Sequence, residues 1–131
     1  DIILADRYTT SNMVHQAVKL TDKTERTAFL DWLWDFEFVK LGLPVPDKVI
    51  FLDMAPEVAD KLIAARAQET AVKKDIHERD TAYLHRCHEA YLELAEKYKW
   101  DKVVCNDGDS PKSIETIHAA VYRLAEALLK Q

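Results

Sequence analysis

Asp6 and Arg7 stand in the most chemically suggestive stretch of this sequence, "LADRYTTSN", residues 4–12. They follow an apolar run, Ile2–Ala5, that reads as a buried strand. In parallel α/β sheets ligands bind beyond the carboxyl ends of the strands, so an acid and an arginine at that point are placed for chemistry. Arg7 can grip a phosphate through two N–H groups, and Asp6 can hold a magnesium ion or its waters. The plain alternative is a structural ion pair beside a polar turn, with Ser11 capping the helix that follows.

Three further stretches carry reactive residue types. Residues 66–80, "RAQETAVKKDIHERD", are charged and poor in apolar side chains. They read either as a solvated helix or as a lid whose Arg66, Lys73, Lys74 and Arg79 close over phosphates and exclude water. "HRCHEAY" sets His85, Cys87 and His88 close together, the residue types of a zinc site, but no second ligand pair with finger-like spacing accompanies them. Cys87 also belongs to an apolar helical stripe, which favours core packing over metal binding. "NDGDS", residues 106–110, carries turn chemistry after a third apolar run and suits either a plain loop or a base or ribose contact.

The elements that position these residues follow from the apolar pattern. Ile2–Ala5, Val49–Leu52 and Lys102–Cys105 are short, nearly continuous apolar runs, as expected of strands covered on both faces. Between them lie helical stripes: Phe29, Trp32, Leu33 and Phe36; Val58, Ala59, Leu62 and Ile63; and Leu84, Cys87, Tyr91, Leu94 and Tyr98. A last stripe follows the third run, at Ile114, Ile117, Val121, Leu124 and Leu128. Each is read as core packing. Strands alternating with helices predict parallel pairing through right-handed crossovers, hence an α/β fold whose three-stranded sheet is covered by helices. Pro44, Pro46 and Asp47 precede the second strand, and Pro56 with Glu57 suits the first turn of the next helix. Without a linker or repeat, the 131 residues read as one domain or part of one.

Bulk properties narrow the function. A net charge of −5 gives no broad basic field, which argues against a nucleic-acid partner. No run approaches the roughly 18 apolar residues of a membrane span. Two cysteines outside any metal or redox spacing fit a reducing, cytoplasmic compartment.

Taken in order, these stretches resemble the thymidylate kinase family, a group of P-loop-kinase-like enzymes that phosphorylate dTMP with ATP. "DRYTTSNMVHQA" resembles its DRY-x-x-S segment. "LGLPVPDKVIFLDMAPEVADKLIAAR" resembles its G-L-P-x-P-D strand, L-D-x-x-P-E turn and following helix, and "VVCNDGDSPKSIETIHAAV" its last strand and helix. The resemblance implies that Arg7 contacts the dTMP phosphate and that Asp6 lies near Mg2+ and the phosphoryl acceptor. It places Tyr8 and Ser11 in the acceptor pocket, Asn12 at the thymine edge, and Gln16 beside the nucleoside. His15 falls where an aromatic ring commonly packs near the sugar.

In the lid, "DIHE" keeps Asp75 and Glu78 of the family pattern, while Ile76 takes the place of its arginine and His77 that of its aromatic residue. Lys73, Lys74 or Arg79 is then left to supply the missing lid cation. Arg66 and the loop at Asp109 and Ser110 are implied near adenine, and the complete enzyme is expected to be a homodimer.

A kinase of this kind needs a Gly-rich loop that cradles ATP, G-x-x-x-x-G-K followed by Ser or Thr. With only Gly42 and Gly108, these 131 residues hold no such loop. The expectation is therefore the C-terminal part of a longer chain, whose P-loop strand sits between the strands matching Ile2–Ala5 and Val49–Leu52. Without that strand the two would not be neighbours. The segment alone is then expected to be inactive, and to fold poorly, close its sheet differently or pair with another chain. The competing reading is a non-catalytic homologue that binds a nucleotide or a partner, and a third is a kinase for another nucleoside monophosphate.

Overall fold

A computed structural model describes residues 2–70 and 81–130. The chain forms two compact units, Asp1–Asp47 and Lys48–Gln131.

The first unit is helical: α1 (Thr9–Ala17), α2 (Lys23–Trp34) and a π-helical continuation (Asp35–Lys40). Asp22 caps α2, its side chain accepting the Glu25 N–H at 2.9 Å, as short polar side chains do at helix starts. Helix α1 packs on α2 and buries Met13, Val14 and Ala17, while α2 buries Leu30 and Leu33. The π segment is closed by the Leu41 N–H on the Phe36 carbonyl (2.9 Å) and the Leu43 N–H on the Glu37 carbonyl (3.0 Å). Gly42 between them takes φ +66°, a left-handed value that a side chain would resist.

Three expectations are corrected here. Ile2–Ala5 forms no strand, and Ile2, Ile3 and Leu4 are exposed. An isolated extended run has no ladder to hold it, and none is provided among the described residues. The aromatic stripe of α2 is not core: Trp32 is 51% and Phe36 37% exposed, the two rings stacked at 5.3 Å. Helix α2 carries apolar residues on several sides, and the inward face runs through Leu30, Leu33, Glu37 and Phe38. Ser11 is not a cap either, because α1 begins at Thr9 with Tyr8 in the cap position and no capping side chain.

The second unit is the α/β part. β1 (Ile50–Asp53) leads into α3 (Pro56–Thr70), and α4 (Thr81–Lys97) leads into β2 (Asp101–Val104). β1 and β2 pair in parallel, Ile50 opposite Asp101 through Asp53 opposite Val104. The sheet thus has two parallel strands rather than three, each one residue from its expected span. Lys48 and Asp101 close the ladder at one end with an ion pair. The core gathers around α4 and β2, with Val58, Cys87, Ala90, Leu94, Val103 and Cys105 buried. Pro56 opens α3 as expected.

"NDGDS" is a second small surprise. Instead of a plain loop it builds a hairpin, β3 (Asn106–Asp107) with β4 (Ser110–Pro111). Gly108 at φ +54° provides the positive φ that a two-residue hairpin turn requires. Helix α5 (Ile114–Leu129) then lies against β2, capped by Ser113 accepting the Thr116 N–H. Its apolar stripe is only half covered, and Ile114 is 82% exposed. Two strands roughly 5 Å apart form a platform narrower than a helix about 10 Å across, so the expected full burial does not occur.

Candidate functional site

In the first unit the seven candidate residues from Asp6 to Gln16 fall on one turn and the helix it opens. The turn is unusual at Arg7, whose φ of 69° is left-handed. A non-glycine residue pays about 1–2 kcal/mol for that conformation, a cost that recurs at ligand-binding turns. Arg7 Nε donates to Ser11 Oγ at 3.3 Å. With Nε engaged, the paired Nη groups at the end of the guanidinium keep the fork that matches a phosphate. Asp6 is exposed beside it.

Tyr8 hydroxyl donates to the Pro44 carbonyl at 3.1 Å, tying the turn to the Leu43–Pro46 loop. Asn12 Nδ2 donates to Glu37 Oε1 at 3.0 Å. Gln16 Oε1 accepts from Lys19 Nζ at 2.9 Å, and His15 is half-buried in the last turn of α1. Asn12 and Gln16, four residues apart, share one side of the helix, as do Ser11 and His15. The unit therefore presents an arginine fork, a carboxylate and an amide in sequence, a set suited to an anionic ligand with a hydrogen-bonding ring.

Asp6 also bears on magnesium. Mg2+ characteristically keeps several waters and takes one or two carboxylates together with substrate phosphates, so a single exposed carboxylate next to a phosphate fork fits it. A cage made wholly of protein ligands does not exist among the described residues, where no three His, Cys, Asp or Glu side chains converge.

In the second unit, Arg66 is exposed on α3, and Asp109 and Ser110 sit exposed at the hairpin. These candidates are on separate elements. Lys73, Lys74, Asp75, His77, Glu78 and Arg79 lie outside the described residues.

The zinc alternative is not supported. His88 Nε2 lies 2.7 Å from Asp53 Oδ1 and His85 Nε2 lies 3.9 Å from Glu57 Oε1, so different carboxylates take the two rings. Cys87 is buried, and that burial pushes its thiol above its usual range.

Sequence reasoning missed two polar arrangements. Asp53, at the carboxyl end of β1, is held by His88 and by Lys102 Nζ at 3.5 Å. Burial, with the Asp53 charge added to it, raises the Cys105 thiol. Asn106 continues this corner, its Oδ1 accepting the Ala55 N–H at 3.0 Å. The other arrangement is Glu37 itself. Only 6% exposed, it leaves Oε2 buried without a hydrogen-bond partner among the described residues. A carboxylate inside "DFEFVK", between two phenylalanines, was the available signal for it.

The second unit is an α/β layer, and the first carries a left-handed arginine at the turn that opens α1. The comparisons make this specific. The family model for thymidylate kinase matches residues 1–121, so the chain belongs to the thymidylate kinase family. A thymidylate kinase of Mycobacterium tuberculosis (strain CDC 1551 / Oshkosh) is 34% identical over 96 residues, 72% of this chain and 44% of that protein. Thymidylate kinases of Limosilactobacillus fermentum and Symbiobacterium thermophilum are 30% and 31% identical over 92% and 98% of the chain. The chain spans about half the length of these relatives, 53% of each of the last two. The family match runs through both units.

Proposed function

We propose that this chain supplies the acceptor site and lid of an ATP-dependent dTMP kinase, which moves the terminal phosphoryl group of ATP to dTMP and yields dTDP and ADP. The observation that carries the reading is the turn at Asp6–Tyr8, where a left-handed Arg7 braced by Ser11 opens α1 within the region matched by the family. Arg7 binds the dTMP phosphate through its Nη groups, held in place by Ser11. Tyr8, fixed to Pro44, shapes the wall of the acceptor pocket. Asn12 reads the thymine edge, and His15 and Gln16 line the nucleoside. Phosphoryl transfer asks little covalent chemistry of the protein, so these residues work by positioning and by neutralising charge.

Asp6 would hold Mg2+, whose charge would offset that of the phosphates. The lid, residues 66–80, closes over ATP with Lys73, Lys74 or Arg79 replacing the arginine whose position Ile76 fills. Arg66, Asp109 and Ser110 contact the adenine end. The Gly-rich cradle for ATP belongs to a part of the protein outside these 131 residues, and the two units form one portion of a kinase domain. The complete protein is a cytoplasmic homodimer. Exposure of Trp32, Phe36 and Val39 is consistent with self-association.

The test is ADP formation by the full-length gene product with ATP, Mg2+ and, in turn, dTMP, dUMP, dCMP and dGMP. The expected result is turnover with dTMP in clear preference to the others. A preference for another acceptor would replace dTMP as the substrate. The replacement at Ile76 favours one second reading, a non-catalytic homologue that binds nucleotide. A rise in thermal midpoint on adding dTMP, with no ADP formed, would select it.

A further inference from the structure

We infer that Glu37 is the specificity-setting residue behind the acceptor site: it locks the Asn12 amide in the one orientation that accepts a hydrogen bond from the base. The inference rests on the dTMP-kinase reading above and deepens it.

A carboxylate oxygen has no hydrogen to give, so only the NH2 end of Asn12 can face Glu37 Oε1, which it does at 3.0 Å. That leaves Asn12 Oδ1, an acceptor, for a ligand. Thymine and uracil carry a hydrogen on N3 and satisfy it. Cytosine presents a lone pair at N3, and two acceptors face to face repel. An unrestrained amide could turn over and greet either base with the matching end, and would discriminate little between them. Discrimination therefore depends on whatever stops the amide turning.

Glu37 is built for that restraint. It is nine-tenths buried, and its backbone is fixed by the π-helical segment, with its carbonyl accepting the Leu43 N–H at 3.0 Å. A buried carboxylate is costly to keep, and Oε2 recovers none of that cost through a hydrogen bond among the described residues. A residue serving stability alone would be better replaced by an apolar one of similar size. Glu37 reaches Asn12 across 25 positions in the sequence, from the inward face it shares with Leu30 and Leu33.

The test compares kcat/KM for dTMP and dCMP in the full-length protein, as wild type, E37Q and N12D/E37Q. The introduced glutamine can turn either end toward Asn12, so the amide is freed. The ratio of dTMP to dCMP should then fall by about tenfold, the worth of one oriented hydrogen bond. The fall should come through KM for dTMP and a gain with dCMP. In N12D/E37Q the pair is reversed: the glutamine NH2 donates to the new carboxylate, whose second oxygen accepts from N3–H. The preference for dTMP should return, which a purely structural role for Glu37 does not predict. An unchanged ratio in E37Q, or equal losses with both nucleotides, overturns the role of Glu37. Should E37Q fail to fold, a folded N12D/E37Q protein decides: selectivity for dTMP supports the lock and its loss overturns it. Wild-type protein that does not use dTMP overturns the functional reading itself, and the assignment of Glu37 falls with it.

Discussion

At the scale of single residues, this chain places polar groups where the surrounding chemistry narrows what each can do. Arg7 spends its Nε on Ser11 and a backbone penalty on its left-handed φ, and keeps its fork. Asn12 spends its NH2 on Glu37 and keeps its oxygen. Tyr83 is constrained by its surroundings too. Burial first, and then its hydrogen bond with Cys87, push its phenol up to about 12. The unfolded chain releases that proton near 10, as a free tyrosine does. Below pH 10 both states are protonated and the contribution is fully present. Between about 10 and 12 the unfolded chain deprotonates while the folded one does not, so stability falls as pH rises. Urea midpoints of the full-length protein measured from pH 8 to 11.5 should therefore drop less steeply in Y83F than in wild type. Parallel slopes would mean that Tyr83 keeps its ordinary value.

At the scale of elements, short-range signals were legible and the choice of buried face was not. Pro56 at the start of α3, the two parallel strands and the stripe of α4 follow from spacing and turn chemistry that any sequence reader can see. Helix α2 defeated the same method because Phe29, Leu30, Trp32, Leu33, Trp34 and Phe36 surround it with apolar groups. A period can be matched on more than one side of such a helix, and the side that goes inward, Leu30, Leu33 and Glu37 at spacings of 3 and 4, carries a carboxylate that an apolar stripe does not select. The contact of Glu37 with Asn12 was invisible for that reason.

The candidate site divides in the same way. Its turn, "DRYTTSN", could be picked out because a strand-like run ends there, yet that run forms no strand. Element ends also carry a stability prediction. Lys99 terminates α4 at φ 57°, a conformation that glycine adopts without cost. K99G should raise the unfolding free energy of the full-length protein by about 1 kcal/mol. A loss of stability in denaturant titration would show that the lysine side chain matters more than its backbone.

At the scale of the whole molecule, the two units are matched by one family across residues 1–121, while the relatives extend to about twice this length. Ile2, Ile3 and Leu4 are exposed in the first unit, and in the second the sheet has two strands and leaves α5 half covered. The central claim is that the turn and α1 form the dTMP site. It is tested most directly by determining where dTMP sits in crystals of the full-length protein. The account predicts the phosphate on the Arg7 guanidinium and thymine N3 within hydrogen-bond distance of Asn12 Oδ1, with Nδ2 still on Glu37. A nucleotide bound away from α1, or a base that meets the Asn12 NH2 instead of its oxygen, would contradict it.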